Sequence, residues 1–319
     1  MAEPDRRAGA RSTVIVVTWR GRAHLDRCLD ALAGQHSPHR TLVVDNASDD
    51  GTAELLDARS PAPTVLRLPR NRGYAGGLAA ALSRVDTPLV AWLNDDAAPA
   101  PDWLGALEDA LDAEPAAAAA GSVLTDEAGA VSSAGVWLTA DGHGADVPTA
   151  GAPTFAFCGG AVLLRTDALR RIGGLPAGFF CYYEDTDTAW RLRLAGWRIV
   201  QVPTARAVHL HGASSRPGSP LFHRWNERNR LLMLLRCAPA VTALSQLARF
   251  AALTAALPVR RLAGRAVPDA ANFAVGLRLL VLAEVVSRLP ATLLRRHRIG
   301  RLSTVGRAVV WRTWSGRAG

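Results

Sequence analysis

Lysine is absent from this chain, and all 37 basic residues among its 319 are arginine. With the high alanine content, this indicates the codon bias of a GC-rich genome rather than a function. The four cysteines (Cys28, Cys158, Cys181 and Cys237) form no C-x-x-C pair, which favours reduced, buried thiols of a cytosolic protein over a disulfide framework. Residues 1–11 contain no apolar segment, so we predict a disordered N-terminus and no secretory signal.

Long apolar runs and aromatic side chains are also scarce. The most apolar late segment, residues 240–257, is interrupted by Gln246 and Arg249, and a spanning helix needs about 20 apolar residues. We therefore predict amphipathic helices there. Aromatics make up 6% of the chain and no base-reading motif is present, so the sequence pI of about 10.7 does not indicate a nucleic-acid-binding protein.

Charge is distributed unevenly along the chain. Residues 216–319 contain 18 arginines and three acidic residues, a net charge of +15, whereas residues 1–215 have a net charge of −6. We predict a catalytic domain over 12–236 and a basic, amphipathic helical region over 237–319. Such a region suits an anionic membrane surface; the alternative is a helical subdomain that packs on the catalytic domain or forms a dimer.

Short β-branched runs alternate with helical patterns in the first hundred residues. Strands are predicted at 13–18, 41–44, 64–68 and 89–93, an alternation typical of an α/β fold with a mostly parallel sheet and helices on both faces. Ligands bind such sheets at the carboxyl ends of the strands. Two polar clusters follow strands directly, Asp45-Asn46 and Asn94-Asp95-Asp96.

These two clusters point to different chemistry. Asp45 and Asn46 can hydrogen-bond a nucleobase or a ribose, or they can form only a turn and a helix cap. Adjacent acids at a buried strand end are costly without a cation or donors, and Mg²⁺ or Mn²⁺ prefers hard oxygen ligands that it shares with phosphates. Asp96 is the first metal candidate and Asp95 the second, with a solvated turn as the alternative.

A glycine-rich stretch precedes the third predicted helix. It contains Asn71, Gly73, Gly76 and Gly77. Glycines allow backbone to approach phosphate oxygens near an electropositive helix N-terminus. The spacing is not G-x-G-x-x-G, so dinucleotide binding is disfavoured, and a plain strand-to-helix turn is the alternative.

Later in the chain, a carboxylate cluster and a histidine pair complete the candidate set. Glu184-Asp185-Thr186-Asp187 supplies a general base, for which we choose Asp185; its acids can instead complement a helix dipole, and Asp187 can pair with Arg191. His209 and His211 alternate in an extended segment, so both imidazoles can face one metal site.

In this order the motifs resemble those of the family-2 glycosyltransferases, in particular the bacterial rhamnosyl- and galactofuranosyltransferase-like branch. The resemblance covers residues 12–236 and is carried by V-I-V-V-T-W, V-V-D-N-A-S-D-D-G-T, N-R-G-Y-A-G-G, L-N-D-D, C-G-G-A-V-L-L-R, F-F-C-Y-Y-E-D-T-D-T-A-W-R-L-R and H-L-H-G-A-S. It implies a GT-A fold and inverting, single-displacement transfer from a nucleoside-diphosphate sugar. Asn94 replaces the first acid of the family's D-x-D element, a substitution that is common in this branch.

The resemblance also implies roles for individual residues. Asp185, with Glu184, is catalytic, and Asp96, His209 and His211 hold Mn²⁺ or Mg²⁺. Nucleotide-sugar contacts are expected from Thr18, Asp45, Asn46, Asn71, Gly73, Gly76, Gly77, Asn94, Asp95, Gly160 and Trp190.

The sequence thus predicts a glycosyltransferase that uses a UDP- or dTDP-linked donor. Its acceptor would be a hydroxyl of a glycan, a glycolipid or a polyprenyl-linked sugar, and the donor sugar stays open. The expected location is cytoplasmic, peripheral on the inner face of the membrane. The alternatives are a GT-A-like nucleotidyltransferase and a non-catalytic nucleotide-sugar-binding module.

Overall fold

A computed structural model of the chain describes residues 9–209 and 218–316. Most of the segment predicted to be disordered, residues 1–8, lies outside these ranges, and so does His211. The strands are β1 (Ser12–Thr18), β2 (His39–Asp45), β3 (Thr64–Arg67), β4 (Leu89–Asn94), β5 (Ala97–Pro99), β6 (Ala117–Thr125), β7 (Val131–Ser133), β8 (Val136–Leu138), β9 (Gly144–Asp146), β10 (Ala161–Arg165) and β11 (Arg198–His209).

Helices cover most of the remaining chain. They are α1 (Leu25–Ala33), α2 (Thr52–Ala58), α3 (Gly73–Leu82), α4 (Trp103–Ala113), α5 (Thr166–Arg171), α6 (Glu184–Leu194), α7 (Pro220–Cys237), α8 (Ala240–Leu262), α9 (Val275–Ser287), α10 (Leu289–Leu302) and α11 (Arg307–Trp314). Short 3₁₀ helices occupy Ala177–Phe179 and Ala271–Phe273.

The main sheet has nine strands in the order β3-β2-β1-β4-β10-β6-β11-β5, with β7 paired to β6. The first four are parallel, as predicted, but β10 is antiparallel to both β4 and β6, so the sheet is mixed. A parallel neighbour needs a long crossover, usually a helix. Because β10 follows irregular chain rather than a helix, its direction could not be read from the alternation.

The two faces of the sheet bury separate apolar layers. In β1, Val14 and Val16 face α1 and α4, while Ile15 and Val17 face α3 and the helices beyond it. Side chains alternate across a strand, so a strand buried on both faces must be apolar throughout. This explains the β-branched run that predicted β1.

The C-terminal helices pack on the core of the sheet domain. The Trp311 ring of α11 stacks on Trp190 of α6 with centroids 5.9 Å apart, the Arg193 guanidinium lies 3.8 Å from the Trp314 ring centroid, and the backbone N–H of Thr304 donates to the Leu194 carbonyl. A division of the chain at residue 236 stays a prediction, but the basic region is in contact with α6.

Helix α8 is longer and more apolar than its sequence pattern led us to expect. Within the described ranges it is the one helix long and apolar enough to cross a membrane, and 22% of its apolar window is buried. The two polar residues Gln246 and Arg249 do not lower the mean hydropathy of α8 below that of a helix able to cross a membrane. Length and composition are also met by core helices of globular proteins, so this finding carries no assignment by itself.

A charged triad lies inside the contact between α6 and α7. The Asp187 carboxylate is fully buried, 2.7 Å from Nε of Arg191 and 3.2 Å from Nη1 of Arg236. The predicted i,i+4 pair of Asp187 and Arg191 is therefore present, but in the interior rather than on a surface. One carboxylate compensates two buried guanidinium groups there.

Replacing this carboxylate should strongly destabilise the fold. We expect Asp187→Ala to lower the free energy of unfolding by about 3–5 kcal/mol, because it leaves two buried cations uncompensated. Urea unfolding followed by circular dichroism measures the change. Asp109→Ala, at an exposed position on α4, is the matched control and should stay within about 0.5 kcal/mol of the parent. Equal effects of the two variants would contradict the role of the triad.

Candidate active site

Strand register aligns the predicted polar residues at one edge of the sheet. Thr18, the last residue of β1, pairs with Asp45 at the end of β2, and Val17 pairs with Asn94 at the end of β4. Thr18 is fully buried, and its hydroxyl has no hydrogen-bond partner among the described residues. A buried hydroxyl without a partner is costly, and here it marks an edge suited to a polar ligand.

The loop after β1 is tied to the loop after β2. Arg20 forms a two-bond salt bridge with Asp49, its backbone N–H donates to the Ser48 hydroxyl, and the Arg22 N–H donates to Asp50. Asp50 also accepts from the N–H and hydroxyl of Thr52 at the start of α2. The N-cap residue of α2 is Gly51, with φ of 88°, and the hydrogen bonds from Asp50 to Thr52 fix the chain on either side of it.

Asp45 and Asn46 have different surroundings. One Asp45 oxygen accepts from the Ser48 N–H, and the other lies 3.9 Å from Nε of Arg67. The Asn46 amide accepts from the Arg72 N–H and donates to the Gly73 carbonyl. Asp45 thus keeps one oxygen without a close donor, whereas Asn46 is used to fix the glycine-rich loop.

The glycine-rich stretch packs closely against its neighbours. Gly73 has φ of 70°, and a Cβ there would collide with the Phe180 backbone, while a Cβ on Gly77 would collide with Val17. Asn71 accepts from the Gly73 N–H, and the Ala75 N–H donates to the Phe180 carbonyl. Gly76 and Gly77 are the fourth and fifth residues of α3, and the phosphate contact expected of their backbone stays a prediction.

The predicted metal residues lie close together. The Nε2 atom of His209 is 3.0 Å from Oδ1 of Asp96 and 3.0 Å from Nδ2 of Asn94. This contact arises because β11 pairs antiparallel with β5, placing His209 opposite Ala97. The three side chains meet across more than a hundred residues of chain.

Asp95 faces a residue that the sequence did not reveal. Its Oδ2 lies 3.4 Å from Nε2 of His24, and this carboxylate raises the pKa of His24. A Cβ at Gly21 would overlap with the Thr18 hydroxyl and the Asp95 carboxylate. Neither Gly21 nor His24 belongs to a recognisable motif, so no sequence signal could have found them.

The candidate base is held by three donors. Asp185 accepts from the N–H of Gly159 at 3.0 Å, and from the N–H and hydroxyl of Thr186 at 2.5 and 2.9 Å. Burial raises the pKa of Asp185, and these donors oppose the rise. Gly160, which follows Gly159 in the chain, accepts from the Asn94 N–H at 2.9 Å through its carbonyl. The backbone of 159–160 therefore links the base to the Asp96–His209 pair.

Glu184 is a poorer base at neutral pH. Burial, reinforced by the Asp185 charge, raises its pKa to about 8. Its Oε2 atom is buried and has no hydrogen-bond partner within the described part of the chain. The side chain is therefore mostly a neutral acid at pH 7, which leaves Asp185 as the available carboxylate.

A left-handed turn precedes these two acids. Phe180, Tyr182 and Tyr183 have φ of 70°, 71° and 67°, a conformation that costs non-glycine residues about 1–2 kcal/mol each. The Asn229 amide donates to the carbonyls of Phe179, Cys181 and Tyr182 at 2.8–3.0 Å. Asn229 lies within the range of the resemblance, residues 12–236, but its target was not readable from the sequence.

Trp190 was wrongly assigned to the donor site. Its side chain is fully buried, edge-on to Phe155 at 5.4 Å and stacked on Trp311. It lies in the middle of α6, one turn beyond the first turn that carries Asp185. A core residue at this position cannot contact a sugar nucleotide.

A family model described as "Glycosyl transferase family 2" matches residues 13–173, half of the chain. The chain belongs to this family. A relative named N-acetylglucosaminyl-diphospho-decaprenol L-rhamnosyltransferase, from Mycobacterium tuberculosis, is 28% identical over 66% of this chain and 79% of its own. The predicted activity class, a glycosyltransferase, and the resemblance to the rhamnosyltransferase branch are confirmed.

Solved structures place this glycosyltransferase in the GT-A fold, as predicted. Mannosyltransferase PcManGT from Pyrobaculum calidifontis, solved with GDP-Man and Mn²⁺, is 22% identical with a TM-score of 0.55 over 90% of this chain and 89% of that one. GalNAc-T7, solved with UDP, GalNAc and Mn²⁺, is 14% identical with a TM-score of 0.59 over 72% of this chain. The glycosyltransferase spans about half of GalNAc-T7, 48% of its length.

The residues of the glycosyltransferase fit a divalent ion that is shared with a ligand. Within residues 9–209 and 218–316, no group of three or more acidic, histidine or cysteine side chains is arranged to hold a metal by itself. Asp96 and His209 supply two adjacent donors at the strand edge. Mg²⁺ and Mn²⁺ commonly bind through one or two protein carboxylates together with substrate phosphates, so this incomplete donor set is compatible with them.

The raised pKa of Glu184 makes stability depend on pH. A carboxyl whose folded-state pKa lies above its unfolded value of about 4.5 stabilises the fold at low pH. That stability is lost as pH rises between about 4.5 and 8. We expect Glu184→Gln, which stays neutral, to be more stable than the parent at pH 9, by a few kcal/mol at most, with the difference shrinking towards pH 5.

Urea unfolding at pH 5, 7 and 9 measures this difference. Glu54→Gln, at an exposed position on α2, is the control and should show no comparable trend. A constant difference between Glu184→Gln and the parent at all three pH values would contradict a buried neutral carboxyl.

Proposed function

We propose that this enzyme transfers a sugar from a UDP- or dTDP-linked donor to a hydroxyl of a lipid-linked acceptor, with inversion at the anomeric carbon. The observation that carries the proposal is the continuous path from Asp185 through Gly159 and Gly160 to Asn94, Asp96 and His209. A proton acceptor and a candidate diphosphate site thereby share one edge of the sheet.

The acceptor class follows from the relatives. The Mycobacterium tuberculosis relative is named for a diphospho-decaprenol-linked substrate and for L-rhamnose. We propose an acceptor of the same kind, a sugar on a polyprenyl diphosphate, and a deoxyhexose such as rhamnose as the first donor sugar to test.

Asp185 performs the proton transfer in this mechanism. The acceptor oxygen attacks the anomeric carbon, the bond from that carbon to the diphosphate oxygen breaks, and the acceptor proton moves to the Asp185 carboxylate. The donors from Gly159 and Thr186 keep this carboxylate oriented and limit the rise of its pKa. Because Glu184 is mostly neutral at pH 7, Asp185 has no second full negative charge beside it.

Thr18 and Asp45 form the nucleotide side of the site. Both lie at the ends of adjacent parallel strands, where the Thr18 hydroxyl and one Asp45 oxygen are available to a base or ribose. Asp96 and His209 would hold Mn²⁺ or Mg²⁺, and when bound the ion neutralises charge on the departing diphosphate. The Nδ2 amide of Asn94 donates to Nε2 of His209, which orients the imidazole beside Asp96.

A nucleotidyltransferase and a non-catalytic binding module remain the alternatives. Both would leave Asp185 without a task. Its three donors hold the carboxylate in one orientation beside Gly159. A fixed orientation favours a proton-accepting role over either alternative.

Two substitutions separate the roles of the two halves of the site. Asp185→Asn should lower kcat by about 10²–10⁴-fold and leave donor binding within about threefold, since only the proton acceptor is removed. Asp96→Ala should instead weaken Mn²⁺-dependent binding of the nucleoside diphosphate. Initial rates with dTDP- and UDP-sugars and an N-acetylglucosaminyl-diphospho-polyprenol, together with calorimetric titration of UDP and dTDP, measure both effects. Full activity of Asp185→Asn would refute the mechanism.

The C-terminal helices support a peripheral membrane location. Among the described residues, 11 of the 13 exposed large apolar side chains lie between residues 241 and 309, including Val241, Leu244, Val259 and Leu262 of α8. These four positions repeat at helical spacing on one face of α8. Apolar burial combined with arginine attraction to anionic lipid is the mode of binding of an interfacial helix. We therefore propose attachment to the inner face of the cytoplasmic membrane.

Vesicle sedimentation of the full chain tests this attachment. We expect binding to anionic phosphatidylglycerol vesicles and little binding to phosphatidylcholine. Leu244→Gln/Val259→Gln/Leu262→Gln should lower the bound fraction at least about tenfold, because each buried leucine or valine contributes about 1.5–3 kcal/mol. Leu221→Gln, exposed at the start of α7, should bind as the parent does. Truncation is unsuitable because α11 packs on α6. Equal binding of parent and triple variant would contradict the proposal.

A further inference from the structure

A cavity of about 170 Å³ lies between the C-terminal helices and the segment before the left-handed turn. It is several times larger than a single water requires. Three arginines line it, Arg236 of α7, Arg288 between α9 and α10, and Arg295 of α10, together with apolar Phe179 and Leu232. No acidic side chain is among the described residues of its lining. We call it the arginine cavity.

Positive charge in the arginine cavity is only partly compensated. Asp187 contacts Arg236 from behind but is shared with Arg191. Arg236 is only 5% exposed. Its Nε atom is buried and, within the described ranges, has no hydrogen-bond partner. A buried guanidinium N–H without an acceptor is costly. The walls of the cavity therefore do not supply enough negative charge to balance its arginines, and an anion bound there would supply it.

The other two arginines add to this excess. Within the described ranges, Arg288 donates one hydrogen bond, to the backbone carbonyl of Glu284, and its charge also acts on the Glu284 carboxylate, which has two other arginine partners. Arg295, at an exposed position on α10, makes no hydrogen bond within the part of the chain that the structure describes. Burial and the nearby Arg236 charge lower the pKa of Arg295, as expected where like charges converge. Guanidinium forks bind phosphate oxygens in pairs, and three of them match an anion of more than one charge.

We propose that the arginine cavity is a binding subsite for a diphosphate, and that the diphosphate is the one that carries the lipid of the acceptor. The second part rests on the proposed function. Free pyrophosphate has the same anionic chemistry, but the apolar part of the lining and the exposed Leu293 and Leu294 on α10 favour a diphosphate with a prenyl chain attached.

The position of the cavity suits an acceptor subsite. The guanidinium of Arg236 lies 5.3 Å from the ring centroid of Phe179, and Phe179 immediately precedes the turn that leads to Glu184 and Asp185. Arg236 also contacts Asp187, two residues after the base on the same helix. A diphosphate held here lies beside the helix that carries the proton acceptor and next to the helices proposed to touch the membrane.

Calorimetric titration of the full chain with geranyl diphosphate and with inorganic pyrophosphate, both in EDTA, tests the subsite. EDTA removes the ion on which nucleotide binding at the sheet edge is proposed to depend. We expect geranyl diphosphate to bind, and Arg288→Ala/Arg295→Ala to weaken it at least about 30-fold. The matched double variant Arg298→Ala/Arg301→Ala, on exposed positions of α10, should change it less than threefold.

The arms of the experiment separate the possible sources of the anion. Geranyl diphosphate binding at least about tenfold tighter than pyrophosphate supports a lipid-linked occupant, and equal binding overturns it. An equal loss in both double variants, or no loss in Arg288→Ala/Arg295→Ala, overturns the subsite. Thermal unfolding checks that each variant is folded, and Arg295→Ala alone, expected to weaken binding about tenfold, serves if the double variant unfolds.

Failure of this test is distinct from failure of the proposed function. The titration needs neither sugar transfer nor a metal ion, so an enzyme inactive with every nucleotide sugar would still give a result. Conversely, transfer to a polyprenyl-linked acceptor with no dependence on Arg288 and Arg295 would retain the glycosyltransferase and remove the arginine cavity from its site.

Discussion

One side-chain amide supports the geometry of the candidate base. Asn229 of α7 donates to three carbonyls of the segment 179–182, and three aromatic residues of the overlapping segment 180–183 have a positive φ. This backbone conformation costs about 1–2 kcal/mol per residue, and the Asn229 amide offsets that cost by satisfying the carbonyls of Cys181 and Tyr182. The Phe179 carbonyl also accepts from Arg228. Strained backbone of this kind persists where the surroundings over-determine it, often at functional sites. The end of α6 that carries the candidate base therefore depends on a helix outside the sheet.

The sheet supplies the second half of the site by register. Parallel pairing aligns Thr18 with Asp45 and brings Asn94 to the same edge, while antiparallel β11 returns His209 to Asp96. Gly159 and Gly160 lie between the halves, donating to Asp185 and accepting from Asn94. The proton acceptor and the proposed ion site are thus joined by backbone, which limits how far either can move independently.

The basic C-terminal charge has two uses in the structure. Arg228, Arg230, Arg236 and Arg278 are each less than 7% exposed and bind carbonyls, carboxylates or aromatic rings. A net charge of +15 over residues 216–319 therefore overstates what is available to a membrane. The exposed arginines and the apolar faces of α8 to α10 carry that proposal, and the arginine cavity lies between the buried and the exposed groups.

The local sequence pattern determined the first four strands, each within two residues of its observed ends, because a strand buried on both faces is apolar throughout. The pattern also determined the family and the candidate residues Asp45, Asp96, Asp185 and His209, because polar residues directly after a strand stand out from the apolar run. Trp190 was assigned to the donor site although its side chain is in the core, since a motif does not distinguish a side chain packed in the core from one that faces a ligand. Only the tertiary structure decided the reversed direction of β10, the contact of His24 with Asp95, the support from Asn229 and the convergence of three arginines. Each of these joins residues far apart in the chain, and long-range contacts depend on packing of the whole molecule, which no local run of residues encodes.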